Sequence, residues 1–235
     1  MEIAVISDLH LGNGGPADIF GHDDAEFLAF LGYLEGNFER VVLLGDIYET
    51  LTSNVPFAQA LEYQRVRDAH PEIAKRLDGE RYTYIHGNHD LVAANMAGAA
   101  SEMVLNVDGV RYLFTHGHGY DFVERYARWA SELGVWFSGW LWRMGLGPIC
   151  KALHQVDVWH RGAHTDPRRC KFQKWAVDLA ARRDADVIVT GHTHQGVVAE
   201  HGSRLFLNSG SCANGNYSFL SMNTGTGAIA MNDTW

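Results

Sequence analysis

Five short apolar runs in this chain each stop abruptly at residues able to bind a metal ion, and no other feature constrains the fold as strongly. Ile3-Ala4-Val5-Ile6 leads to Asp8 and His10, and Val41-Val42-Leu43-Leu44 to Gly45-Asp46. Tyr82-Thr83-Tyr84-Ile85 leads to Gly87-Asn88-His89-Asp90, and Tyr112-Leu113-Phe114 to His116-Gly117-His118. Val187-Ile188-Val189-Thr190 leads to Gly191-His192-Thr193-His194. Apolar runs this short, bounded by small residues, read as buried strands. A polar residue just past such a strand lies at the carboxyl edge, where open α/β sheets place their chemistry.

The pattern between these runs fits an α/β chain. Residues 25–34 carry Phe27, Leu28, Leu31 and Leu34 at helical spacing, so the first two strands and this helix form a βαβ unit. Residues 56–77 read as helical, with a break at Pro71. A short helix or loop follows at 91–100. Asp108-Gly109 marks a hairpin turn between strands at 104–107 and 110–114. A helix at 171–183 precedes the fifth run, and short strands are expected at 197–200, 204–207, 217–222 and 228–231.

Composition narrows the class. A chain of 235 residues with 46% hydrophobic residues fits one domain, or one domain with an insertion. A net charge of −9 argues against a nucleic-acid partner. The three cysteines form no CxxC pair, which points to a reducing, cytoplasmic setting rather than a disulfide framework. The first strand and Asp8 arrive before a signal-peptide core could be completed, and no apolar run is long enough for a transmembrane helix.

Residues 121–166 break the α/β rhythm. They hold five of the seven tryptophans, and Phe122, Tyr126, Trp129, Leu133, Trp136, Trp140 and Met144 recur at three- and four-residue steps. Gly145 to Pro148 then turns the chain into a second expected helix. This stripe either packs on the sheets as ordinary core or forms a helical cap overhanging the strand ends.

The strand ends supply two carboxylates (Asp8, Asp46), an amide (Asn88) and four imidazoles (His10, His116, His192, His194). This oxygen and nitrogen set suits Mn, with Fe or Zn as alternatives, and lacks the thiolates of structural zinc sites. Seven donors exceed one tetrahedral ion but fit two divalent ions sharing a carboxylate. Ions held ~3.5–4 Å apart suit in-line displacement at phosphorus.

Together the five motifs, in this order over residues 8–194, resemble the signature of the calcineurin-like metallophosphoesterase family. The resemblance implies a single domain over 1–235, built as a four-layer α/β-β/α sandwich of two mixed sheets, with 121–166 as a helical cap insertion. It implies one metal held by Asp8, His10, Asp46 and His194, and a second by Asp46, Asn88, His116 and His192. It also implies that His89 is the general acid or transition-state stabiliser, with Asp90 orienting it. Asn208, in Asn208-Ser209-Gly210-Ser211, resembles a strand end that supports the site or faces the phosphate. His118 either approaches the site and substrate or supports its strand. Tyr48 and Glu49 are candidates for substrate specificity. The other histidines, including His86, are assigned no catalytic role.

Within that family, the compact size, Gly45-Asp46-Ile47-Tyr48-Glu49 and the Trp/Arg-rich insertion are similar to the UDP-2,3-diacylglucosamine pyrophosphatase group of the lipid A pathway. Arg125, Arg128, Arg143, Lys151 and Arg161 are interspersed with the aromatic stripe, which suits an amphiphilic anionic lipid and a peripheral contact with the inner membrane surface. The exposed tryptophans could equally form a homodimer contact. Many hydrolases of that group have arginine where this chain has His89. A histidine there is commoner among phosphodiesterases and phosphatases, so a phosphodiesterase or phosphomonoesterase acting on nucleotides or other small phosphoesters is the alternative. A non-catalytic scaffold of the same fold is the remote one.

Overall fold

The computed structural model describes residues 1–146 and 169–235. Two five-stranded mixed sheets stack face to face. The first has the order β10-β9-β1-β2-β3, with β1 (Glu2–Ile6), β2 (Arg40–Leu44) and β3 (Tyr82–Ile85) parallel. To these, β9 (Phe219–Asn223) and β10 (Ala228–Asn232) add antiparallel. The second sheet has the order β4-β5-β6-β8-β7. Its members are β4 (Glu102–Val107), β5 (Val110–Thr115), β6 (Val187–Thr190), β7 (Gly196–His201) and β8 (Arg204–Ser209).

Strand alternation divides the core into layers. Ile3, Val5, Val42 and Leu44 share one cluster with Tyr112, Phe114, Val187 and Val189 of the second sheet. Ala4, Ile6, Val41 and Leu43 cluster instead with Phe27, Phe30, Leu31 and Leu34 of α1 (Asp24–Asn37). Tyr63 and Val66 of α2 (Gln59–Ala69) and Ile73 and Leu77 of α3 (Pro71–Leu77) join that layer. On the far side, Leu113 and Ile188 meet Phe172 and Ala176 of the helix at Lys171–Arg182. Strands buried on both faces carry apolar residues without a polar alternate, which explains the unbroken runs in the sequence.

Local signals set the boundaries. Asp23 caps α1, accepting from Ala25 N at 3.0 Å and Glu26 N at 3.3 Å. Pro71 opens α3, where its missing N–H is no loss. Asp108 and Gly109 both have positive φ, as a type I′ turn requires. The last pair of strands departs from expectation, because β9 begins at Phe219 rather than at 217. Tyr217 instead packs edge-on against Phe30 after a turn at Asn214 and Gly215, and Ser218 donates to Ser209 O at 3.1 Å.

The short helix α4 (Ala93–Met96) lies between β3 and β4, and between β5 and β6 run α5 (Phe122–Tyr126) and α6 (Arg128–Arg143), both in the aromatic stripe. The stripe joins neither sheet's core among the described residues. Phe122, Tyr126 and Trp129 are 72%, 66% and 65% exposed, and α6 buries only Gly139, which lies against Thr52. The second expected helix after 145–148 lies outside the described residues. With Lys171–Arg182 as α7, the described residues hold seven α-helices.

Candidate metal centre

Three of the five strand-end motifs leave the first sheet and two leave the second, so the centre lies across the carboxyl ends of both. Backbone bonds join the loops: Asp8 N donates to Gly45 O and His10 N to Asp46 O, each at 3.0 Å, and Gly191 N donates to His116 O at 3.1 Å. Asp8, His10, Asp46, His192 and His194 all take left-handed backbone conformations, with φ of 52°, 47°, 52°, 69° and 59°. Such conformations cost about 1–3 kcal/mol each and persist only where the surroundings fix them. Two glycines permit the convergence. A Cβ at Gly45, whose φ is 86°, would stand 2.5 Å from the His116 ring, and one at Gly87 would collide with the Asp46 carboxylate.

The side chains form two groups. Asp8, His10 and His194 present donor atoms within 4.8 Å of one another, as do Asp46, His116 and His192. His194 Nε2 is 3.1 Å from Asp8 Oδ1, His116 Nε2 is 3.2 Å from Asp46 Oδ2, and His10 Nε2 lies 3.4 Å from His194 Nε2 and 3.9 Å from Asp46 Oδ2. Each carboxylate commits its other oxygen to the protein: Asp8 Oδ2 accepts from His192 N at 3.1 Å, and Asp46 Oδ1 from His89 N at 2.9 Å.

Three imidazoles are committed in the same way. His116 Nδ1 donates to Leu44 O at 2.8 Å, His10 Nδ1 to Glu49 Oε2 at 3.1 Å, and His192 Nε2 to Asp121 Oδ2 at 2.9 Å. Fixing one ring nitrogen as a donor leaves the other as a lone pair, the arrangement found around metal-binding histidines. Asp8 Oδ1, Asn88 Oδ1 and His116 Nε2 are buried without a hydrogen-bond partner. Unpartnered buried acceptors are costly, and their convergence fits a site for divalent cations.

Electrostatics agree. Burial opposes the Asp8 carboxylate, but His194 and His116 outweigh it and hold its pKa at about 2. Burial likewise opposes a charged His116, yet Asp46 and Asp8 raise its pKa to about 9. This pocket therefore favours positive charge, as protons or as metal.

His89 sits beside the donor set, its ring edge-on to His10 with centroids 4.6 Å apart. Its orienting partner differs from the expectation. His89 Nδ1 bonds Glu49 Oε2 at 2.7 Å, whereas Asp90 points back into the loop. The Asp90 oxygens accept from Gly87 N at 2.6 Å, Ile47 N at 2.7 Å and Tyr84 Oη at 2.6 Å. These bonds bind the third motif to the second, so Asp90 fixes backbone. Burial disfavours the His89 cation, but Glu49 and Asp46 reverse that and raise its pKa to about 10. His10, Glu49 and His89 also satisfy a three-donor geometry. Glu49 Oε2 already serves both Nδ1 atoms there, so this group reads as a hydrogen-bonded link between a candidate ligand and His89.

The four residues considered for substrate contact are engaged within the protein. Glu49 is buried, and its Oε1 accepts from Leu51 N at 2.9 Å. Tyr48 is buried against Tyr63, because the chain continues past Asp46 by pairing Tyr48 with Leu11. Asn208 is fully buried, with Nδ2 donating to Gly191 O at 2.6 Å and Oδ1 accepting from Gly210 N at 3.1 Å, so it braces the loop that carries His192. His118 lies between His86 and His116, its Nδ1 buried and unpartnered, and burial with the neighbouring His116 pushes its pKa down to about 3. Asp121 was not singled out in the sequence. A carboxylate partner for a ligand histidine is an expected feature, but sequence spacing does not say which carboxylate fills it.

A family model described as calcineurin-like phosphoesterase matches residues 1–196. A UDP-2,3-diacylglucosamine hydrolase of Blochmanniella pennsylvanica (strain BPEN) is 26% identical over 213 residues, spanning 83% of this chain and 80% of the relative. Among solved structures, an archaeal phosphodiesterase is 15% identical with a TM-score of 0.49, over 100% of both chains. Vps29 of Chaetomium thermophilum is 16% identical with a TM-score of 0.48, over 100% of this chain and 95% of the other.

Proposed function

The chain belongs to the calcineurin-like phosphoesterase family, and from that premise we propose that it hydrolyses a phosphoester or pyrophosphate bond in an amphiphilic substrate of the UDP-diacylglucosamine type. The observation that carries the amphiphilic part is the exposed aromatic face of α5 and α6, whose Arg128 reaches within 3.5 Å of Asn88 O beside the donor set. Solvent-exposed Phe122, Tyr126 and Trp129 suit acyl chains or a membrane surface better than water. On this reading residues 121–166 are a cap, and the enzyme works at the cytoplasmic face of the inner membrane. No helix among the described residues is long and apolar enough to cross a membrane. The named relative supports the same substrate class.

Asp8, His10, Asp46 and His194 would hold one divalent ion, and Asp46, Asn88, His116 and His192 a second, Mn being the first choice. Bound there, such ions supply Lewis acidity and lower the pKa of water toward neutrality. The protein's own part is then orientation and proton transfer. Asn88 faces the phosphoryl oxygens, and His89, held protonated by Glu49, gives a proton to the leaving oxygen.

The test is a substrate panel with Mn²⁺: UDP-diacylglucosamine, cyclic nucleotides, nucleotide monophosphates, p-nitrophenyl esters and single-stranded DNA, on wild type and His89→Ala. Preferred hydrolysis of the lipid, lost selectively when 122–163 are deleted, supports the proposal. Preference for nucleotides or p-nitrophenyl esters would install the small-phosphoester alternative. No turnover of any substrate, with His89→Ala indistinguishable from wild type, would favour a scaffold.

A further inference from the structure

The start of the α5–α6 segment touches the centre at two places. Asp121, the residue before α5, accepts from His192 Nε2 through Oδ2 at 2.9 Å. Arg128, the first residue of α6, sends Nη2 to Asn88 O at 3.5 Å. His192 and Asn88 belong to one ion's proposed ligand set. The orienting contacts of His10 and His194, which belong only to the other set, run to Glu49 and Asp8.

The rest of α6 is held on the protein by bonds that do not involve ligands. Gln59 Nε2 of α2 reaches Glu132 at 2.9 Å, a carboxylate that also pairs within the helix with Arg128 Nε at 2.7 Å. Gly139 lies on Thr52, while Arg143 donates to Thr52 O and, at 3.3 Å, to Ser53 O. The segment is thus a lever docked along the loop after β2, with its root on two ligands of one ion.

We infer that Asp121 and Arg128 are positioning residues that couple docking of α5 and α6 to occupancy of the site formed by Asp46, Asn88, His116 and His192. The inference rests on the two-ion reading above. Asp121 holds the His192 ring so that Nδ1 is its free lone pair, and Arg128 restrains the peptide that carries Asn88. If the segment undocks, both ligands lose their restraint; if the ion binds, both contacts are reinforced. Linkage makes the two effects equal in size. Undocking of α5 and α6 would then loosen one ion and spare the other.

Manganese titration of chelator-stripped protein by calorimetry tests this, together with hydrogen–deuterium exchange of residues 122–146. Wild type should take two equivalents. Asp121→Ala should weaken one binding step by about 10–100-fold, the range for loss of a carboxylate behind a metal-binding histidine. The other step should change much less. Asp121→Asn keeps an acceptor for Nε2–H and should recover part of the loss, and Arg128→Ala should weaken the same step. His10→Ala should remove the opposite step and leave the exchange response of 122–146 to manganese in place.

By reciprocity, filling the affected site should slow exchange in α5 and α6, and slow it less in Asp121→Ala. Thermal melts of the metal-free variants identify any that fail to fold, and Asp121→Asn and Arg128→Ala give independent readings. Equal weakening of both steps, an unchanged affinity in Asp121→Ala, or exchange in 122–146 indifferent to manganese would each overturn the coupling. A wild type that binds one equivalent would overturn the two-ion reading as well, which separates the two failures.

Discussion

Replacing Glu49 by glutamine removes one charge while keeping shape, and it strikes the only side-chain bond from a carboxylate to the His89 ring among the described residues. Oε2 of Glu49 lies 2.7 Å from His89 Nδ1 and 3.1 Å from His10 Nδ1. In the metal-free protein the His89 pKa rises from 6.5 to about 10 against an opposing burial effect. At ~1.4 kcal/mol per pKa unit, the surrounding carboxylates favour the imidazolium by about 5 kcal/mol net. Glu49 acts through both charge and hydrogen bond, with Asp46 and Asp90 contributing charge. Assigning it a third or more gives roughly 2 kcal/mol, hence a fall of one to two in the His89 pKa. Bound cations would lower the absolute value in both proteins and largely cancel in the difference.

A general acid must be protonated, so activity falls as pH rises through its pKa. In Glu49→Gln the alkaline limb of kcat/KM should therefore move down by about one to two pH units, so the loss of activity should be largest at the alkaline end of the profile. The assay is bis-p-nitrophenyl phosphate hydrolysis with Mn²⁺ across pH 5.5 to 10, beside His89→Asn and the double variant. If Glu49 acts through His89, the double variant should be no slower than His89→Asn. An unmoved alkaline limb, or losses that simply multiply, would refute the link.

Two further outcomes concern the metals. Asp46→Asn should lower occupancy of both sites, whereas His10→Ala and His116→Ala should each empty mainly one; metal analysis that found two ions per chain in Asp46→Asn would contradict the shared carboxylate. Loading should also release protons, because His116 has its pKa raised to about 9 without metal and must give up its proton to bind. Calorimetry near pH 7.5 in buffers of differing ionisation enthalpy should show that release. The same raised pKa stabilises the metal-free fold fully below about 6.5, and this contribution disappears as pH rises through about 9, so its melting temperature should decline over that interval.

The strands and the donor set were legible because each rests on a local pattern. A run such as Val41 to Leu44 is buried on both faces, and the polar residue that follows must leave the sheet at its edge. Direction of the second layer of side chains was not legible. Asp90 adjoins His89 in the chain and Glu49 stands forty positions away, yet Glu49 reaches the ring, because the loop after β2 folds over the loop after β3. Tyr48 and Glu49 alternate as strand residues do: Tyr48 continues beside Leu11 with its ring among Tyr63 and Tyr84, and Glu49 turns to the histidines. The Asp121 bond to His192 spans 71 residues and depends on how β5 and β6 lie together. The aromatic stripe was legible as helical, but periodicity alone did not say whether it joins the core; Phe122 and Trp129 are exposed in the structure.

On the proposed reading, specificity and chemistry occupy different parts of this fold. Around the donor set the polar groups are largely committed. Asp90 holds backbone, Asn208 holds the His192 loop, Glu49 holds two imidazoles, and Tyr48 faces away into the core. Little in that frame distinguishes a nucleotide from a lipid, so selection must come from surfaces beyond it. The left-handed residues at the strand ends also require rigid support, which the four packed layers supply. A substrate surface inside those layers would have to yield on binding and disturb the ligands. The α5–α6 segment avoids that conflict, since among the described residues it carries its aromatic rings outside both cores and meets the centre through Asp121 and Arg128. Substitutions on its exposed face should therefore change which substrate is chosen while leaving the metal frame intact.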